Sequence, residues 1–267
     1  MIIVLGSTGM LGSAVGKYFL KEYGEDNVML SFRDKSLSYG KLSFHYDPIH
    51  NSPLPLETGD VVLNCIGTIK PFMKQDPEAA RFINAVYPWR LSRQCDEIGA
   101  SLIHITTDCV FSGNLGYYNE NSAHDCLDDY GKSKSLGEPY NCMVIRTSII
   151  GEEIHKNASL IEWAKSQKGK DISGFTNHLW NGITTTEYAR VCDLIIKDKL
   201  YEEGLFHVFG ETVNKYELLS MINDRFELGL NIRPVEATPP INRVLTTMKP
   251  LNKKLGILPL REQLQNM

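Results

Sequence analysis

Tyr130 and Lys134 stand four residues apart in the run Tyr130-Gly131-Lys132-Ser133-Lys134. On a helix, positions i and i+4 share one face, so a phenol and an ammonium placed there form one acid/base device. The neighbouring cation stabilises the phenolate and is expected to lower the tyrosine pKa from its reference near about 10. A tyrosine tuned in this way exchanges a proton with a carbonyl or alcohol oxygen at neutral pH. Alone, such a pair is common on exposed helix faces. It gains meaning from a glycine-rich turn far upstream, Gly6-Ser7-Thr8-Gly9-Met10-Leu11-Gly12, which follows the apolar run Ile2 to Leu5.

Glycines at 6, 9 and 12, between a strand and a helix, have the spacing of a dinucleotide-binding turn. They permit a tight bend and close backbone approach, while the helix N-terminus faces a pyrophosphate. Thr8, Met10 and Leu11 lie within the same turn and are cofactor-binding candidates with the glycines. A proton-donating tyrosine beside such a site points to hydride transfer. The end of the second strand normally reads the adenosine ribose: an acid selects NAD, a cation accommodates the 2′-phosphate of NADP. Here the residues are Leu30-Ser31-Phe32-Arg33-Asp34-Lys35. Ser31 can hydrogen-bond a phosphate, Arg33 or Lys35 can neutralise it, and no acid closes the strand. NADPH is therefore the expected cofactor, with NADH left open through Asp34.

A third group follows the apolar run Ser101 to Thr107. The Thr107 hydroxyl can hold the same carbonyl oxygen that Tyr130 protonates, which makes Thr107, Tyr130 and Lys134 the candidate catalytic set. Cys109, two residues on, reads either as a small buried side chain or as an acid/base thiol working with His178. The stretch Thr176 to Thr184 mixes amides, hydroxyls and Trp180 in an expected loop, which suits a sugar: the indole supplies a flat face, the amides hydrogen bonds. Arg243 and Lys249 are candidates for holding a diphosphate.

The elements that must position these groups are legible as well. Strands are expected at Ile2–Leu5, Asn27–Ser31, Leu42–Tyr46, Asp60–Cys65, Ser101–Thr107 and Cys142–Thr147, nearly all apolar, as for strands buried on both faces. Helices are expected at Ser13–Tyr23, at Asp76–Gly99 with a kink at Pro88, and from Tyr130. Strands alternating with helices predict an α/β fold, a Rossmann-type doubly wound parallel sheet with right-handed crossovers. Gly6, Asn64, Thr107 and Ser148 all fall at carboxyl ends of strands, so one crevice collects them. Past residue 150 the pattern loosens into helices at Asn157–Gln167, Thr184–Ile196 and Lys215–Phe226 and short strands at Leu205–Phe209 and Ile232–Val235. Residues 1–150 read as the dinucleotide-binding domain and 151–267 as a smaller substrate-binding lobe, with some exchange of segments.

The chain has 267 residues and a net charge of −4, which gives no reason to expect a nucleic-acid partner. Its six cysteines, 65, 95, 109, 126, 142 and 192, show no C-x-x-C spacing, so reduced thiols in a cytoplasmic protein are expected, with no metal site. The N-terminus lacks the basic and apolar regions of a signal peptide, and no apolar run reaches the roughly 18 residues that span a bilayer. A soluble protein without a membrane partner is expected; a homodimer is one option for its assembly.

Taken in order, several motifs resemble an extended short-chain dehydrogenase/reductase. They are the Gly6 turn, Asn64-Cys65-Ile66-Gly67, Thr106 to Gly113, Tyr130 to Lys134 and Arg146-Thr147-Ser148-Ile149. More narrowly, the chain resembles the dTDP-4-dehydrorhamnose reductase family of nucleotide-sugar reductases, densely over residues 1 to 150 and again at Asn181 to Thr184 and Asn242 to Lys249. That resemblance implies an NADP-dependent oxidoreductase of deoxysugar and polysaccharide biosynthesis, acting on a nucleotide-diphosphate sugar. It implies that Asn64, Cys65, Ile66 and Gly67 border the cofactor. It implies too that Asp108 borders the substrate and that Thr68 and Trp180 face the sugar. Cys109 stands where this family has an aromatic residue, and Gly182-Ile183-Thr184 replaces its Gly-x-Pro-Thr signature. Nucleotide-sugar 4,6-dehydratases carry Asp-Glu after the threonine; Asp108-Cys109 disfavours dehydration. GDP-fucose synthase resembles the site through its cysteine, so a combined epimerase/reductase using Cys109 and His178 stays open. The β subunit of methionine adenosyltransferase also resembles this family, which leaves a non-catalytic NADP-binding regulatory role as the other alternative.

Overall fold

The computed structural model describes residues 1–50, 53–155 and 158–267. Its centre is a seven-stranded parallel sheet: β1 (Ile2–Leu5), β2 (Val28–Phe32), β3 (Leu42–His45), β4 (Val61–Asn64), β5 (Ser101–Thr107), β6 (Met143–Thr147) and β7 (Gly204–His207). The order across the sheet is β7-β6-β5-β4-β1-β2-β3, so the strand order reverses between β1 and β4. This is a Rossmann-type α/β sheet, and the reversal creates the crevice in which such sheets bind ligands. In register, Leu5 lies beside Asn64, Asn64 beside His104 and Thr107 beside Thr147. The polar residues that end the strands therefore line up along one edge.

Burial on both faces explains the unbroken apolar runs. Val4, Leu30, Leu63, Ile103 and Ile145 pack on one face with Val15 and Phe19 of α1 (Met10–Tyr23). Ile3, Leu5, Val62, Leu102 and Val144 pack on the other with Tyr87, Leu91 and Cys95 of α2 (Tyr87–Ile98). Alternate residues of one strand thus serve opposite layers, as the pleat requires. Segments beyond residue 150 contribute to the same sheet. β7 pairs with β6, and the helix Thr185–Lys197 supplies Tyr188, Val191 and Ile195 to the α1 face. A second core gathers Trp180, Val213, Leu218, Ile222, Leu260 and Leu264.

The helix expected over Asp76–Gly99 is broken before Pro88. Pro77–Arg81 is α-helical, Phe82–Val86 forms a π turn in which the Tyr87 N–H donates to the Phe82 carbonyl, and α2 resumes at Tyr87. Pro88 has no N–H to give the Asn84 carbonyl four residues back. The freed carbonyl instead faces Gly137, where an added Cβ would lie 1.8 Å from it. Asn157, where a further helix was expected to begin, lies outside the described residues; the helix runs over Leu160–Ser166. The expected loop Thr176–Thr184 is in part strand. Residues His178–Trp180 pair with Val213–Asn214 on one side and Ile241–Asn242 on the other. No described helix is long and apolar enough to cross a membrane.

Candidate active site

The glycine turn sits at the carboxyl end of β1, at the reversal of strand order. Gly6 adopts φ +78°, a left-handed conformation that glycine enters without strain. The Gly9 N–H donates to the Gly6 carbonyl, and the Ser13 N–H donates to that of Gly9, which starts α1. A Cβ at Gly12 would lie 2.0 Å from the Gly6 oxygen, so helix and turn meet too closely for any other residue. Thr8 and Met10 are half-buried, while Leu11 is fixed in the core beneath α1. A helix N-terminus with an exposed glycine turn is a fitting cradle for the pyrophosphate of a nicotinamide dinucleotide.

Ser31 does not face outward. It is buried, its hydroxyl oxygen accepts from the Gly6 N–H at 2.8 Å, and its carbonyl accepts from Ser7 Oγ. Its place is to brace the turn. Arg33 and Lys35 are exposed beyond β2. Asp34 is committed to its own loop, where its Oδ1 accepts from the Ser36 N–H at 2.9 Å and the Ser36 hydroxyl at 2.7 Å. The free groups at this strand end are therefore cationic.

Asn64 is buried at the end of β4, with its Nδ2 2.9 Å from His104 Nδ1 and its Oδ1 accepting from the Ile66 N–H. Because the amide donates, His104 Nδ1 accepts, and its Nε2–H donates to the Gly137 carbonyl at 3.1 Å. Burial holds this imidazole neutral, its pKa well below the usual range. Cys65 and Ile66 are half-buried and Gly67 is exposed along the crevice edge. Thr68 is clasped by Asn84: its N–H donates to Asn84 Oδ1 and its carbonyl accepts from Asn84 Nδ2, both at 2.9 Å.

Thr107, Tyr130 and Lys134 come together at the carboxyl end of β5. Tyr130 and Lys134 lie on α3 (Asp129–Leu136), which Asp128 caps by accepting from the Gly131 N–H at 2.9 Å. A Cβ at Gly131 would stand 2.3 Å from the Cys109 carbonyl, so only glycine lets α3 approach the turn that follows Thr107. The Tyr130 phenol is thereby brought close enough to Thr107 to feel it electrostatically, while the Thr107 hydroxyl donates to Asp108 Oδ1 at 3.2 Å and accepts from the Cys109 N–H at 3.1 Å. Lys134 is buried and donates to the Ile105 carbonyl at 3.0 Å. The expected depression of the Tyr130 pKa is not what this geometry gives. Burial, then the Cys109 thiol, push the phenol above its ordinary value, while the nearby Thr107 pulls the other way. The perturbed cation is Lys134, whose pKa burial lowers to about 8.

On the other side of Thr107, Asp108 is buried and its carboxyl is pushed up by desolvation against the pull of Arg243. Burial, with the Asp108 charge second, pushes the Cys109 thiol up to about 12, which is the reverse of an activated thiol. His178 packs its ring on Phe175, 4.6 Å between centroids, and its Nε2 has no hydrogen-bond partner among the described residues. Trp180 is buried and donates to Ser148 Oγ at 2.8 Å, just beyond β6, which ties it to the crevice mouth. Arg243 is anchored on the carbonyls of Phe111 and Ser112 and couples to Asp108. Lys249 lies elsewhere: its Nζ sits 3.9 Å from the Phe206 ring centroid and near Gly204, at the amino end of β7.

Three residues of this site escaped the sequence reading. Asn84 and His104 looked like ordinary interior positions of a helix and a strand; a lone polar residue in each apolar stretch was the available signal. Lys215, at the start of the helix Lys215–Phe226, was read as a helix boundary only. Its ammonium sits 5.4 Å from the Trp180 ring centroid and couples electrostatically to Asp108, Cys109 and Arg243.

The chain is similar to known proteins along its whole length. It is 26% identical over 273 residues to methionine adenosyltransferase 2 subunit beta of Mus musculus, covering 95% of this chain and 79% of that one. Its fold is that of a hypothetical dTDP-4-dehydrorhamnose reductase from Sulfolobus tokodaii, with a TM-score of 0.71, 23% identity and 91% of each chain covered. It is also that of the dTDP-4-dehydrorhamnose reductase of Bacillus anthracis in complex with NADP, with a TM-score of 0.69 and 18% identity over 99% of this chain and 97% of that one. The model of the RmlD substrate binding domain matches residues 1–257, so the chain belongs to that family.

Proposed function

We propose that this protein is an NADPH-dependent reductase of the 4-keto group of a nucleotide-diphosphate-linked 4-keto-6-deoxy sugar. The observation that carries the reading is the approach of the Tyr130 phenol to Thr107, with buried Lys134 one helical turn further along α3, at the edge where the glycine turn opens. The cofactor supplies hydride; the chain supplies the proton and the geometry. Thr107 orients the ketone oxygen, and Tyr130 gives it a proton as the alkoxide forms. A phenol at or above its ordinary pKa is protonated at neutral pH and so has a proton to give. Lys134 holds the nicotinamide ribose and supplies positive charge beside the phenol. Asn64, Cys65, Ile66 and Gly67 border the cofactor, and Arg33 with Lys35 meets a 2′-phosphate. Thr68, Asp108, Trp180 and Arg243 face the sugar nucleotide, with residues 151–267 forming most of that lobe. All six cysteines are free, which suits a reducing compartment such as the cytoplasm.

Replacing Tyr130 by Phe removes the proton donor and little else. Tyr130→Phe is expected to bind NADPH as the unmodified chain does and to lose about 100-fold or more in turnover. Unchanged turnover would refute the assignment. The high thiol pKa of Cys109 argues against the combined epimerase. The similarity to a methionine adenosyltransferase subunit favours one second reading, an NADP-binding partner protein without turnover. Absence of NADPH consumption with every nucleotide-linked 4-keto sugar tried, with NADPH still bound, would establish that reading instead.

A further inference from the structure

Lys215 occupies an unfavourable position for a cation. It is the first residue of a twelve-residue helix whose end is capped by Asn214 and Glu217. The partial positive charge of a helix N-terminus repels an ammonium. Its side chain is largely enclosed, and burial lowers its pKa. Among the described residues it has neither a hydrogen-bond acceptor nor an ion pair; its neighbours are the Trp180 ring, Asp108, Cys109 and Arg243. One buried carboxylate, Asp108, thus faces two cations, in a chain whose overall charge is −4. A desolvated charge without a matching partner costs stability unless something outside the protein completes it.

The backbone explains how the two cations meet. The strand His178–Trp180 lies between Val213–Asn214 and Ile241–Asn242, with Asn214 and Asn242 both in register with Leu179. Lys215 and Arg243 follow those two asparagines directly, one on either flank of the central strand. His178 and Trp180, two residues apart, share a face of that strand. Hence the Lys215 ammonium over the indole and the unpartnered His178 Nε2 belong to one side of it. Trp180 joins this face to the crevice through Ser148.

We propose that Lys215, together with Arg243, forms an oxyanion-binding subsite for the substrate, next to the Thr107–Cys109 turn, walled by Trp180 and completed by His178. It takes the place of the Arg243 and Lys249 pair expected from sequence, since Lys249 lies at the amino end of β7. The inference deepens the reductase reading and rests on it for the word substrate. Two sources carry the required chemistry: the diphosphate of the 6-deoxy sugar nucleotide, which the reductase reading favours, or the carboxylate of a uronate-type sugar, which would replace the 6-deoxy assignment while keeping ketone reduction.

The test uses probes without a ketone, so that its outcome is independent of turnover. Inorganic pyrophosphate and D-glucuronate are titrated calorimetrically into the full chain and into Lys215→Gln, Lys215→Arg and Arg243→Gln, each checked for native circular dichroism. The expected result is that one probe binds the unmodified chain and binds Lys215→Gln at least about ten-fold more weakly. Lys215→Arg, which keeps the charge, retains most of the affinity. Pyrophosphate as the sensitive probe identifies the diphosphate as the occupant; glucuronate identifies a ring carboxylate. Equal behaviour of the unmodified chain and Lys215→Gln toward both probes, including no binding by either protein, overturns the proposal. Loss of reductase activity in Tyr130→Phe bears on the reaction alone and leaves this comparison untouched.

Discussion

A methyl group added at Gly9 would meet only the Gly6 carbonyl oxygen, at 3.4 Å, an ordinary contact, whereas one added at Gly12 would lie 2.0 Å from the same atom. Gly6 and Gly12 are therefore required by the fold, and Gly9, exposed with φ −84°, is not. Its reason lies outside the protein, in the close approach of a ligand. Gly9→Ala is expected to change unfolding stability by less than about 0.5 kcal/mol while weakening NADPH binding strongly. Chemical denaturation and a fluorescence titration check the two halves; unaltered affinity would remove Gly9 from the cofactor site. At the end of β2, Arg33→Ala is expected to weaken NADPH far more than NADH, since Asp34 is turned into its own loop. Equal losses, measured as dissociation constants, would show that Arg33 does not meet the 2′-phosphate. The residue types and spacings of this site were legible in the sequence because each is a local demand. The direction of the Tyr130 shift was not, because burial and the neighbours Cys109 and Asp108 are set by chain segments far apart.

At the scale of elements, the link between α3 and the crevice is the π turn at Phe82–Val86. It presents the Asn84 side chain to Thr68 and to Ser133 Oγ, at 3.2 Å, while the Asn84 carbonyl packs on Gly137. Three segments, after β4, before α2 and at the end of α3, are thereby locked in one geometry. Asn84→Ala would leave the Thr68 N–H and carbonyl without partners and is expected to cost about 1–3 kcal/mol of stability. Urea unfolding measures it; a cost below about 0.5 kcal/mol would mean that the clasp is not structural. The helical period over Asp76–Gly99 was visible in the sequence, and so was a disturbance at Pro88. That the break falls at Phe82–Val86 was not, since it depends on where Gly137 arrives from another part of the chain. The seven strands were legible to within a residue or two, the inner ones because burial on both faces writes itself as a continuous apolar run; the edge strand β3 is half-exposed. The two- and three-residue strands around Trp180 have no such signature; they exist only through their pairing.

At the scale of the whole molecule, one buried cluster fastens the tail to the sheet. Arg146 of β6 is fully buried, donates to both Glu138 oxygens, and donates to His207 Nε2 at 2.8 Å, while His207 Nδ1–H donates to the Thr246 carbonyl at 2.7 Å. The Arg146 contact needs a neutral ring, and burial, then Arg146, lower the His207 pKa to about 4. The unfolded value is about 6.5, so between the two values the unfolded chain binds more protons and stability rises with pH. The contribution is complete above about pH 6.5 and is lost as pH falls toward about 4. Unfolding free energy measured across that window should fall with acidification, and less steeply in His207→Gln; identical slopes would show that His207 does not titrate as this geometry demands. The same tail carries Arg243 to the segment that follows Thr107, where it donates to the Phe111 carbonyl. What the account asserts above all is proton and hydride delivery to a sugar ketone at that edge. Its most direct test follows NADPH oxidation by the purified chain with nucleotide-linked 4-keto-6-deoxy sugars, identifying the product by mass. The account predicts stoichiometric formation of the 4-hydroxy sugar nucleotide by the unmodified chain and near-complete loss in Tyr130→Phe. Bound NADPH that no such sugar oxidises, or a Tyr130→Phe chain as active as its parent, would contradict it.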